Sequence, residues 1–150
     1  MIRNSTTRPT IIRFLEKIEV SETLFYNGVP CWIWHGSVTS AGYGELKITA
    51  SRKNTVKSSP HRFAYIYFIG TIGVDLEVDH LCRNRLCANP LHLEAVSLQE
   101  NRRRRNEAKT HCKNGHEFTE ENTYAHLGRR SCRTCLRENQ RRFHYRTQQI

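Results

Sequence analysis

The 150-residue chain carries 24 Lys and Arg against 14 Asp and Glu, a formal charge of +10, and 37% hydrophobic residues. That length suits one domain with a small appendage. No apolar run approaches the roughly 18 residues of a membrane span, and the basic excess calls for a polyanionic partner, nucleic acid before acidic protein surfaces.

The N-terminal MIRNSTTRPT has no apolar h-region, so the expected setting is cytoplasmic and reducing. Six cysteines in that setting are metal ligands more readily than disulfides. IIRFLEKIEV (11–20) places Ile11, Phe14 or Leu15, and Ile18 at helical spacing, which predicts a short amphipathic helix. CWIWHGSV and GYGELKITA read as two strands separated by a Gly-containing turn, followed by SRKNTVKS as a basic loop or hairpin arm. Ser59-Pro60 opens an aromatic-rich helix to Ile69, with Ser as N-cap and Pro at the first helical position. VDLEVDH is extended, with Val74, Leu76 and Val78 on one face and Asp75, Glu77 and Asp79 on the other. LHLEAV forms a second strand, and Ser97 with Glu100 fits a capping box for a helix starting near Leu98. Beyond Asn106 the chain becomes polar, basic and poor in aliphatics, which sets a boundary near 107.

Cys112-x3-His116 and Cys132-x2-Cys135 supply four N/S ligands in two close pairs, as a closed tetrahedral Zn²⁺ site requires. Such a site gives folding energy to a segment too small to bury a core, and its basic tail, with Arg141 and Arg142, suits nucleic-acid backbone. Cys82, Cys87 and His92 offer three more ligands, and Cys31 is the one cysteine left over to complete a second structural zinc. Asp79, His80, Asn84, Asn89 and Asn101 then remain unused by zinc. A carboxylate and an amide oxygen suit Mg²⁺, and a neutral imidazole beside that cation can deprotonate water for attack on phosphorus.

His80-Leu81-Cys82, Cys87, Asn89-Pro90-Leu91-His92-Leu93 and Asn101 together resemble the ββα-metal finger of HNH endonucleases, particularly the His-Cys box branch of homing endonucleases. Upstream, CWIWHG, GYGELKI and HRFAYIYFIG are similar to phage-type members, so the likeness covers roughly residues 11–106. It implies an α+β fold: a His-Me finger (ββα-metal) nuclease core over 1–106 with zinc-stabilised loops, and a C-terminal zinc module over 107–150. It implies that His80 activates the water, that Asp79 and Asn101 hold Mg²⁺ or Mn²⁺ at the scissile phosphate, and that Asn89 buttresses the loop. Arg62, in the first turn of the aromatic helix, is a candidate to steady charge on the leaving oxygen.

Double-stranded DNA is the expected partner, in a phage or bacterial host cell, with a homodimer one arrangement open to it. Lys47, Arg52, Lys53 and Lys57, with Thr49, Ser51 and Asn54, lie on the ribbon-like stretch suited to the major groove. Arg102, Arg103, Arg104 and Arg105 are candidates for backbone phosphates, although one helix cannot turn all four to one groove. The rival from another class is a non-catalytic zinc-containing DNA-binding protein; an RNA-binding zinc protein also fits the charge.

Overall fold

Pro9 stands at the N-cap of a helix that closes after six residues, α1 (Thr10–Leu15). It does not run on to Val20 as the spacing of Ile11, Leu15 and Ile18 predicts. Lys17 N–H bonds the Phe14 carbonyl in a tighter last turn, and the chain turns extended at Ile18. The reason is the next segment: β1 (Ile18–Tyr26) is rich in β-branched and aromatic residues and pairs antiparallel with β2 (Val29–Trp34). Asn27 and Gly28, at φ 49° and 77°, form the two-residue turn between them, a conformation that favours Asn and Gly. The structure, a computed structural model, describes residues 8–51, 54–126 and 129–147, and the chain divides into two units, Met1–Ser97 and Leu98–Ile150.

In the first unit β2 pairs with β1 and not with the GYGELKITA strand, which instead forms its own hairpin: β3 (Leu46–Ser51) with β4 (Asn54–Ser58). α2 (Pro60–Phe68) follows with Pro at its start; Ser59 makes no side-chain cap bond. β5 (Leu76–His80) and β6 (Leu93–Ser97) pair with His80 opposite Leu93 and Asp79 opposite Glu94. The expected alternation along β5 breaks down at its end, because Val78, Asp79 and His80 are all buried while Val74 is fully exposed. The loop from 81 to 92 and α2 lie on both sides of that end.

Phe14, Trp34, Leu46, Ala64, Val78, Ala88 and Leu93 form the core of this unit, with Phe63 tilted against Phe14 at 5.2 Å. Gly44 sits hard against it: a Cβ there would lie 2.6 Å from the Trp34 ring and 2.8 Å from Pro60.

The second unit holds α3 (Leu98–Glu107), the hairpin β7 (Thr123–His126) with β8 (Arg129–Cys132), and α4 (Arg133–Thr147). Among its described residues only Cys132 is buried. Without an apolar core, its fold needs another source of stability. One local source is Arg130, whose guanidinium donates to the carbonyls of Asn106 and Lys109 and lies 4.6 Å over the Phe118 ring.

Candidate active site and metal clusters

Cys31 reaches the loop 81–92 because that loop adds itself to β2. Trp34 N–H donates to the Leu86 carbonyl at 2.9 Å, and Ala88 N–H to the Trp32 carbonyl at 2.8 Å. The Asn89 amide nitrogen donates to the Pro30 carbonyl at 2.7 Å, while its oxygen accepts the Leu91 N–H at 3.0 Å. Asn89 is therefore a clip between loop and strand, and the Asn84 side chain supports the same loop by accepting from Leu86 N–H.

These ties bring Cys31, Cys82, Cys87 and His92 together, with one ligand atom from each and all four within 4.8 Å of one another. His92 Nδ1 lies 3.5 Å from Cys31 Sγ and 3.4 Å from Cys87 Sγ. A tetrahedron with metal–sulfur bonds near 2.3 Å separates its ligands by about 3.4 to 3.8 Å, so the donor set and spacing fit Zn²⁺. A hydrogen bond from Cys87 lowers the pKa of the Cys82 thiol, which favours the thiolate form that a metal takes.

Cys112, His116, Cys132 and Cys135 make a second cluster of the same size. His116 Nδ1 is 3.3 Å from Cys135 Sγ and 3.6 Å from Cys132 Sγ, again tetrahedral spacings. The turn that presents the first pair closes with Cys112 N–H on the His116 carbonyl and Gly115 at φ 81°. Glu138 stands 3.9 Å from His116 Nε2, where it can orient the ring from behind. In a unit whose described residues form no apolar core, a metal bound at this cluster would supply folding energy.

Next to the first cluster, His80 ends β5 and is 5% exposed. Its Nε2 lies 3.1 Å from the Cys87 carbonyl. A carbonyl can only accept, so Nε2 carries the proton and Nδ1 keeps a lone pair in the neutral ring. Burial holds the imidazole below its ordinary pKa, against the partial pull of Cys82 and Asp79. His80 is thus a neutral imidazole in one tautomer, as a proton acceptor at neutral pH requires.

Asp79 is also buried; its Oδ1 accepts the His80 backbone N–H at 2.9 Å, and Oδ2 lies 3.4 Å from the Arg83 guanidinium. Arg83 itself holds a left-handed φ of 59° at the start of the loop. Asn101 lies in the first turn of α3, in the second unit, and is half-buried.

Sequence reasoning missed His61 and Tyr43. His61 is 7% exposed, and its ring lies 4.5 Å from that of His80. Tyr43 packs against both rings, at 5.7 and 6.1 Å. The signal for His61 was its neighbour Arg62 and the helix register, in which Pro60, His61 and Ala64 face inward.

Arg62 is exposed and lines a cleft of about 420 Å³ with Tyr43, Glu45, Lys57 and Ser59. Lys47 and Lys57 face each other across β3 and β4, both exposed, with Lys57 bound to Glu45 at 3.0 Å. Arg52 and Lys53 lie outside the described residues, as do the side chains of Thr49, Ser51 and Asn54. Along α3, Arg103 is taken up by Glu100 and Glu107 and Arg104 by Glu100, whereas Arg102 and Arg105 are exposed with no ion pair among the described residues. Arg141 and Arg142 are exposed on α4. No helix among the described residues is long and apolar enough to cross a membrane.

Residues 60–103, from α2 into α3, match the family model of the HNH endonucleases, so this segment is similar to theirs. No curated protein and no solved structure matches the chain.

Proposed function

We propose that the chain is a metal-dependent endonuclease that hydrolyses phosphodiester bonds in double-stranded DNA, with His80 as general base. The observation that carries this is the tautomer of His80: a buried, neutral imidazole whose Nε2 is held by the Cys87 carbonyl, inside a segment of HNH type. Nδ1 of His80 takes the proton of the attacking water, and the ring is already oriented to receive it. Asp79 would hold a divalent cation, Mg²⁺ or Mn²⁺, whose role when bound is to stabilise charge on the phosphate oxygens, and the resemblance to the HNH enzymes implies Asn101 as the second oxygen donor. Their donors are hard oxygens, the chemistry that cation prefers, and Asp79 is buried and fixed by the His80 N–H. Arg62, on the rim of the adjoining cleft, steadies the leaving oxygen.

Zinc in both clusters serves structure: Cys31, Cys82, Cys87 and His92 in one, and Cys112, His116, Cys132 and Cys135 in the other. The charge of +10 supports DNA as substrate, with Lys47, Lys57, Arg102 and Arg105 on phosphates or in the groove. The resemblance extends the reading to the homing enzymes of phages.

The test is cleavage of supercoiled plasmid at low salt by the wild type and His80→Ala, each with Mg²⁺, Mn²⁺ or EDTA. Nicking or linearisation that needs the metal and disappears in His80→Ala is expected. A wild type that binds DNA and cuts none under any metal would sink the proposal.

A further inference from the structure

His61 is buried in the first turn of α2, yet its hydrogen bonding does not explain why it is there. Its Nδ1 is buried without a partner, and its Nε2 has only Ser59 Oγ at 3.4 Å. A buried polar atom left unpaired costs about 1 to 3 kcal/mol, so an apolar side chain would serve better if filling space were all. What His61 does have is two rings. That of His80 lies 4.5 Å away, inclined at 58°, and that of Tyr43 lies 5.7 Å away. Tyr43 in turn touches His80 at 6.1 Å and is covered by the Arg85 guanidinium at 5.2 Å. Burial, together with His80 and the Arg62 charge, keeps His61 from protonating, at about 3, so no second positive charge stands against the His80 ring.

We propose that His61 is a positioning residue for His80: with Tyr43 it forms the wall that keeps the His80 ring in the one rotamer where Nε2 meets the Cys87 carbonyl and Nδ1 is presented to the substrate. The inference rests on the reading of His80 as the base, and extends it to a residue that does not itself touch the reacting atoms. A single backbone hydrogen bond fixes one point of an imidazole and leaves the ring free to swing about it. A flat ring packed on one side removes that freedom. Rotamer freedom in a catalytic group is costly to rate, because only one orientation is productive.

The experiment compares wild type, His61→Ala and His61→Phe by two readouts. The first is kcat and KM for plasmid cleavage. The second is the ring ¹⁵N spectrum of His80 at pH 7.5, which reports the tautomer without DNA or catalytic metal. His61→Ala is expected to lower kcat by about 10- to 100-fold, to leave KM within about twofold, and to turn the single Nε2–H pattern of His80 into a mixture. His61→Phe, which restores a flat ring, is expected to recover the single pattern and most of kcat. An Ala variant that retains both kcat and the His80 pattern overturns the inference. If His61→Ala does not fold, as bound zinc below the wild-type content would reveal, His61→Leu takes its place, filling the volume with no flat face. Unchanged kcat and tautomer in His61→Leu overturn the inference equally. A wild type that cuts no DNA removes the base from His80, and the ¹⁵N pattern alone then decides whether His61 holds the ring.

Discussion

His80 Nε2 and the carbonyl oxygen of Cys87 lie 3.1 Å apart, while the sulfur of the same cysteine lies 3.4 Å from His92 Nδ1. One residue therefore faces the metal cluster with its side chain and the imidazole with its main chain. The loop that places both is clipped to β2 at Asn89 and at the Leu86 and Ala88 main chain.

Removing zinc should abolish cleavage through this residue, even though His80 is not among the four clustered ligands. Apparent zinc-binding energies in small domains are on the order of 10 kcal/mol, comparable with the whole stability of a domain. Cys87→Ser is expected to reduce bound zinc from two ions to one and to erase both the cooperative melt of the first unit and the cleavage. Atomic emission, calorimetry and a plasmid assay on the same preparation check it. Full zinc content with normal cleavage would show that the cluster does not hold the loop.

The pH dependence of cleavage follows from the direction in which His80 is shifted. Burial lowers its pKa below the ordinary 6.5. The neutral form, which the proposed mechanism uses as its base, thus dominates at pH 7 and is lost only as pH falls through a value under 6.5. Single-turnover rates should be flat from pH 7 to 8 and decline on the acid side with a midpoint below 6.5. His80→Ala should cut about 10²- to 10⁴-fold more slowly. A midpoint above 7 would mean that another group sets the limb.

Gly44→Ala is predicted to be among the more damaging small substitutions in the first unit. Its new methyl would meet the Trp34 ring and Pro60 at 2.6 and 2.8 Å, inside the core and at the head of α2. Overpacking of this kind costs about 1 to 3 kcal/mol, and a midpoint lowered by several degrees is the expected reading. Unchanged thermal unfolding would mean that the Trp34 ring moves aside freely.

The four arginines of α3 should not be equal in DNA binding. Arg103 is engaged by two glutamates, at 2.7 Å to Glu100 and 2.5 Å to Glu107, and must leave them to meet a phosphate. Arg102→Ala and Arg105→Ala are each expected to lower the slope of log K against log salt by about 1, and Arg103→Ala by much less. Anisotropy titrations across a salt series give the slopes, and equal slopes for all three variants would refute the ranking.

Much of the candidate site was legible because metal ligation imposes spacing on a chain. Cys31 could be found by elimination, since three ligands between 82 and 92 leave a tetrahedron one short and a single cysteine stood unused. The Asn27-Gly28 hairpin signal between two β-rich runs went unread in the sequence. The helical spacing of Ile11, Leu15 and Ile18 competed with it, and pairing with β2 decides the matter after Leu15. His61 was hidden for a different reason. Which face of a nine-residue helix turns inward depends on what packs against it, and here that is the end of β5 and the turn around Tyr43. CWIW by itself suits either neighbour, and the Asn27-Gly28 turn is what joins β2 to β1.

The double duty of Cys87 also bears on how this site could decay over evolutionary time. A lineage that lost the cysteine would lose the orientation of the imidazole in the same event, so no halfway form with an intact base on a loosened loop lies open to drift. The reverse change is cheaper: replacing His80 leaves all four ligands of the cluster in place. Descent from a cutting ancestor to a silent binder would then be expected to begin at position 80 and to leave the cysteines standing.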